Sequence, residues 1–92
     1  MPAKIALYQN YPNPFNPSTS IRFAIPNDAH VKIILYDIYG RKVNTLLDDE
    51  RKSGYHDIMV SGNELASGIY YYQFIVSGVS NYNEIKKMVL IK

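Results

Sequence analysis

The sequence predicts an all-β domain built as two antiparallel sheets packed face to face. Three observations carry that prediction. Apolar and polar residues alternate over short runs, and no stretch keeps a helical spacing for three turns. Clusters of Gly, Pro, Asn, Asp and Ser break those runs at intervals of roughly eight to twelve residues, the turn spacing of small sandwiches. Nine Tyr and three Phe, with no Trp, supply much of the bulk, and such rings suit a half-buried pleated surface.

The strands follow in order. Ile5 to Tyr8 is a short first strand. Ser18 to Ile25 alternates, with Ile21, Phe23 and Ile25 on one face and Arg22 and Ala24 on the other. Pro26-Asn27-Asp28 stops it, because proline cannot donate to a ladder and Asn and Asp favour turns. His30 falls in that turn region. Val31 to Asp37 sets Val31, Ile33 and Leu35 opposite Lys32, Ile34 and Tyr36. Asp37-Ile38-Tyr39-Gly40 reads as a tight turn in which Gly40 is free to take positive φ. Arg41 to Leu47 returns as the hairpin partner with Val43 and Leu47 inward, and Asp48 to Gly54 reads as a solvated charged connection.

Tyr55 to Val60 places His56, Ile58 and Val60 on one face. Ser61-Gly62-Asn63 and Ser67-Gly68 punctuate the next link, with Leu65 tucked between them. Ile69 to Val76 is the most aromatic strand, with Tyr70, Tyr72, Phe74 and Val76 on one face. After the Ser77 to Asn81 turn, Tyr82 to Lys92 closes the chain. About seven strands in this pattern predict an immunoglobulin-like antiparallel β-sandwich, preferred here over a small barrel. Ile21, Phe23, Val31, Ile33, Leu35, Val43, Ile58, Tyr70, Tyr72 and Phe74 are the expected core.

Ninety-two residues make one domain over 1–92, with residues 1–6 read as a linker or an artificial start. The apolar fraction of 47% argues against disorder. A net charge of +2 predicts no nucleic-acid partner, and Lys86 and Lys87 read as a solvated strand edge. The absence of Cys removes disulfides and thiolate chemistry. No apolar run approaches the roughly 18–20 residues of a membrane helix. Met1-Pro2-Ala3-Lys4 lacks the apolar stretch of a secretory signal peptide, so export would make this chain a fragment of something longer.

One segment does not fit a strand. Asn10-Tyr11-Pro12-Asn13-Pro14-Phe15-Asn16-Pro17 holds three prolines, which should make it extended and stiff. The Asn13 and Asn16 side chains can bond backbone groups that no ladder satisfies. Phe15 and Tyr11 are expected to pin the segment inward as a rigid cover over a sheet edge; a polyproline-type ligand is the other reading. Asn16-Pro17-Ser18 is no glycosylation acceptor, since proline holds its middle position.

The chemistry expected of an enzyme is missing. His30 and His56 are far apart, with no Gly-x-Ser-x-Gly turn and no phosphate-binding glycine loop. Asp48, Asp49 and Glu50 lack the spacing that wraps a calcium ion. No catalytic residue, cofactor or metal site is predicted. The Tyr-rich strand offers a sugar-stacking platform only if Tyr71 and Tyr82 form one exposed patch.

Three segments together resemble a known family. Leu7-Tyr8-Gln9-Asn10-Tyr11-Pro12-Asn13-Pro14-Phe15-Asn16-Pro17-Ser18-Thr19 is similar to the opening signature of type A C-terminal sorting domains of the type IX secretion system. Val31 to Val43, with Tyr36-Asp37 and Gly40-Arg41, resembles their central hairpin. Leu65-Ala66-Ser67-Gly68-Ile69-Tyr70-Tyr71-Tyr72 and Lys86-Lys87-Met88-Val89-Leu90-Ile91-Lys92 resemble their closing strands. Leu-Ala-Ser-Gly-Ile-Tyr alone also fits a related domain of flagellar hook-capping proteins. Val60-Ser61 departs from the family, which often has Trp then Asp there, leaving a smaller core.

The resemblance implies a non-enzymatic label on a larger cargo protein, carried through the periplasm to the outer-membrane surface or extracellular space. Its implied partners are the type IX translocon and shuttle proteins and a sortase-like cysteine protease. Pro12, Asn13, Pro14, Phe15, Asn16, Pro17, Gly40, Gly68 and Tyr70 are then motif positions. Met88, Val89, Leu90, Ile91 and Lys92, with Lys86 and Lys87, are the expected recognition residues. The last strand is greasy on both faces, and a free edge at a chain end invites strand addition. A structural or interaction module, including one of a hook-capping type, is the competing expectation.

Overall fold

The computed structural model describes residues 2–92. Met1, part of the expected linker or artificial start at 1–6, lies outside the described residues. Seven strands appear: β1 (Ala6–Leu7), β2 (Ser18–Ile25), β3 (Ala29–Tyr36), β4 (Lys42–Arg51), β5 (Gly54–Ser61), β6 (Gly68–Ser77) and β7 (Tyr82–Leu90). They form a three-stranded sheet ordered β1-β2-β5 and a four-stranded sheet ordered β4-β3-β6-β7. Every strand pair is antiparallel, and no helix occurs among the described residues. The sandwich predicted from alternation is the fold observed.

The core lies where the alternation puts it. Ile21, Phe23 and Ile25 of β2 face Val31, Ile33 and Leu35 of β3 and Tyr70, Tyr72, Phe74 and Val76 of β6, all buried. A one-residue slip in any strand would turn its whole apolar set to solvent, so burial fixes the register. Phe23 stacks on His56 at 5.1 Å and tilts against Phe74 at 5.2 Å. His56 is thus a half-buried strand residue, and its Nε2 lies 2.7 Å from the Lys52 carbonyl oxygen. Ile58 is half-buried and packs against the core.

The Asp37–Gly40 turn forms as predicted. Gly40 adopts φ +80°, and its amide donates to the Asp37 carbonyl at 3.0 Å. The Asp37 carboxylate accepts from the amides of Tyr39 and Arg41 and from the Arg41 guanidinium. Desolvation works to raise its pKa, but those donors outweigh it and hold the carboxyl below the usual range. Gly68 opens β6 at φ +152°, and a Cβ there would meet nothing, so conformation rather than space selects glycine.

Three expectations need correction. Val43 is 38% exposed rather than inward. The β3–β4 ladder has two register shifts, at Ile33/Ile34 and Leu35/Tyr36, which change the facing of residues along β4. Asp48 to Arg51 is no loop: it continues β4, with Asp48 opposite Lys32 and Glu50 opposite His30, leaving only Lys52 and Ser53 between the strands. Opposite charges across the ladder stabilise pairing that the acidic run alone disguises. His30 accordingly sits inside β3, between Asp48 and Glu50, and its pKa is raised by bonds first to Asp48 and then to Glu50.

One buried contact joins the two sheets through polar groups. The Tyr72 hydroxyl donates to the Tyr8 carbonyl at 3.0 Å and accepts from the Asn10 amide at 2.9 Å. Burial of that phenol raises its pKa to about 12. Tyr72→Phe strands a buried carbonyl and amide and should lower stability by about 1–3 kcal/mol. Tyr72→Ala should cost roughly 3–5 kcal/mol by also opening a cavity. The folded chain holds this proton up to about pH 12 while the unfolded chain releases it near pH 10. Stability should therefore fall as pH rises between those values, less steeply in Tyr72→Phe. Denaturant melts across that range check both statements.

Candidate functional site

The C-terminal strand was expected to carry the recognition residues, and its surroundings define the candidate site. β7 is the outer strand of the four-stranded sheet, paired on one side with β6. Its end is two-faced. Met88 and Leu90 point inward and are fully buried, while Val89 is half-buried and Ile91 is 53% exposed. Lys86 lies 3.3 Å from Glu84, and Lys87 is exposed. Lys92 follows the strand: its amide donates to Ser67 Oγ and its Nζ to the Asn63 carbonyl, both at 3.0 Å.

The free edge expected here is covered. Phe15 forms a parallel bridge with Leu90, its amide donating to the Val89 carbonyl at 2.9 Å and its carbonyl accepting from Ile91 at 3.1 Å. Asn13 Oδ1 accepts from the Val89 amide at 2.9 Å, and the Gln9 side chain donates to the Lys87 carbonyl at 2.6 Å. An unpaired edge is satisfied by its own chain from Lys87 to Ile91, so strand addition there first requires displacing this segment. Sequence reasoning gave the proline segment an edge-covering role but left the covered edge unidentified, because the partners lie more than seventy residues apart.

The segment reaches that edge by crossing between sheets. Tyr8 donates to the Arg22 carbonyl and Tyr11 exchanges both backbone bonds with Ser20, so the chain starts against β2. Asn10 turns inward and is buried, its side-chain amide reaching the Pro12 carbonyl and Thr19 Oγ1, each at 3.1 Å. Thr19 Oγ1 donates to the same Pro12 carbonyl at 2.8 Å. Phe15 is the inward anchor that was expected, buried against the core. Tyr11 is not: it is 81% exposed, because its pairing with Ser20 puts its side chain on the outer face. Pro12, Asn13, Pro14, Asn16 and Pro17 are all exposed, and the Pro17 carbonyl accepts from the Gly62 amide.

Gly62 completes the site and carried no signal beyond its turn. A Cβ there would lie 2.8 Å from one Leu90 methyl carbon and 3.1 Å from the Phe15 ring. Beside Val60 and Ser61 a cleft of about 470 Å³ opens between β4 and β5. Tyr70 anchors the opening of β6 through a bond from its hydroxyl to the Ala66 carbonyl at 2.7 Å.

Tyr71 and Tyr82 do not form a stacking platform. Tyr71 is on the outer face, opposite Lys87, whereas Tyr82 turns inward and meets Phe74 edge-on at 6.0 Å.

Phe15→Ala should lower stability by about 3–5 kcal/mol. It should also release the Ile91 amide to solvent exchange before the rest of β7. Gly62→Ala should cost about 1–3 kcal/mol by overpacking against Leu90. Hydrogen exchange followed by mass spectrometry checks the order of release.

No curated protein and no solved structure matches the chain. The family described as the secretion system C-terminal sorting domain does match, over residues 9–92, from Gln9 in the opening signature to the terminal Lys92. That span takes in the proline segment, Gly62 and the strand they cover. The chain belongs to this family of C-terminal sorting domains, whose members are the type IX secretion signals that mark larger cargo proteins for export to the cell surface or extracellular space.

Proposed function

We propose that the chain acts as one folded domain whose readable feature is the composite edge formed by β7 and the proline segment. Met88 and Leu90 are its anchors inside the core, and Lys86, Lys87, Val89, Ile91 and Lys92 are the parts offered to a partner. The observation that carries this is the division of one strand: two apolar side chains are wholly buried while the terminal Ile91 and Lys92 stay exposed. A large apolar side chain exposed beside lysines gives a partner an apolar contact and a charge to align on. The partners implied by the resemblance are the type IX translocon and shuttle proteins, met in the periplasm as a folded domain, and a sortase-like cysteine protease acting afterwards.

A structural role alone would account for the bonds of Ile91 to Phe15 and of Lys92 to Ser67 and Asn63, and would leave the exposed Ile91 side chain without a use. Deleting those two residues removes no buried side chain, so the purified domain should keep a cooperative melt. A reporter fused to Leu7 to Lys92 should reach the cell surface, and the shortened version should lose that delivery by on the order of tenfold or more. Surface labelling and thermal unfolding measure the two halves. Full delivery by the shortened domain would place recognition elsewhere and overturn the proposal.

A further inference from the structure

The outer face of the three-stranded sheet holds a feature apart from the composite edge proposed above. Arg22 and Asp57 sit opposite each other at its centre, with Nε to Oδ1 at 3.0 Å and Nη2 to Oδ2 at 3.3 Å. Tyr8 and Tyr11 flank this pair on one side and Tyr55 and Met59 on the other, all exposed. Tyr8 pairs with Arg22 and Tyr11 with Ser20, so three steps of chain oppose two. That one-residue bulge returns Tyr11 to the face of Tyr8 while Asn10 turns inward. A recess of about 430 Å³ lies between Tyr8, Tyr11, Arg22 and Asp57.

We propose that this recess binds a neutral, extended glycan. Tyrosine rings present flat apolar faces with a polar tip, matching a pyranose that is apolar on its C–H faces and hydroxylated around its rim. The Arg22–Asp57 pair offers fixed donors and acceptors to neighbouring hydroxyls. Because the two charges neutralise each other, the centre holds no free charge to select an ionic ligand. A recess of this volume falls in the range of small-ligand sites. From the β1 side to the β5 side the platform spans two strand spacings, about 10 Å, which suits an extended chain of sugar rings lying across the sheet.

The test is a titration of the isotope-labelled domain with cellohexaose, followed by nuclear magnetic resonance. Saturable shifts centred on Tyr8, Ser20, Arg22, Tyr55 and Asp57 are expected. The Tyr8→Ala/Tyr11→Ala double variant loses two exposed rings, so it should fold as before. It should bind on the order of tenfold more weakly, as losing ring contacts of ordinary strength implies. No shift with cellohexaose, shifts centred on another face, or an unchanged affinity in the folded double variant would each overturn the proposal. So would shifts of the same residues with protein concentration alone, since the face would then be a contact between copies of this chain.

Discussion

The hydroxyl of Tyr72 is the contact on which the arrangement of this domain depends. A chain segment that leaves one sheet to reach the other must break its ladder, and broken ladders leave buried amides and carbonyls without partners. At the crossing, the Tyr72 phenol satisfies the Tyr8 carbonyl and the Asn10 amide together. Asn10 and Thr19 then satisfy the Pro12 carbonyl from inside. A ring from the middle of β6 therefore determines where the N-terminal segment bends. An apolar core alone would bury the same area without specifying that bend.

Two consequences follow from the crossing. Phe15 is delivered under the end of β7, where its backbone replaces the missing neighbour strand and its ring packs with Leu90 beside Gly62. The proline segment and β7 thus hold each other, and this sheet edge is shielded without a further strand. The bulge also leaves Tyr8 and Tyr11 outside, so one signature of alternating inward and outward residues builds an internal clamp and an aromatic surface. The last residues divide between the two sides: Met88 and Leu90 are buried in the core, while Ile91 and Lys92 stay exposed.

The opposite side of the sandwich is arranged differently. β4 is held to β3 by His30, whose ring bonds both Asp48 and Glu50 on the solvent face, with Lys32 opposite Asp48 in the ladder. Such exposed pairs contribute little stability but oppose slippage, because a shifted register would set like charges together. The two bulges free Val43 from the core, and an open cleft lies between β4 and β5 beside Val60.

Alternation along β2, β3 and β6 determined the fold by itself, since each strand can bury its apolar set in only one register. The same local logic identified Phe15 as an anchor and the Asp37–Gly40 turn, because both depend on residues close in sequence. It failed for Val43 and for the acidic end of β4, where bulges and cross-strand charges override local pattern. Which edge the proline segment covers, that Tyr11 faces outward, and that Gly62 must be small were decided only by the tertiary structure. Each depends on groups brought together from distant parts of the chain: Asn13 with Val89, Tyr72 with Asn10, and Gly62 with Leu90. Periodicity tells a side chain which face to take, but only the packed sheets decide what waits on that face.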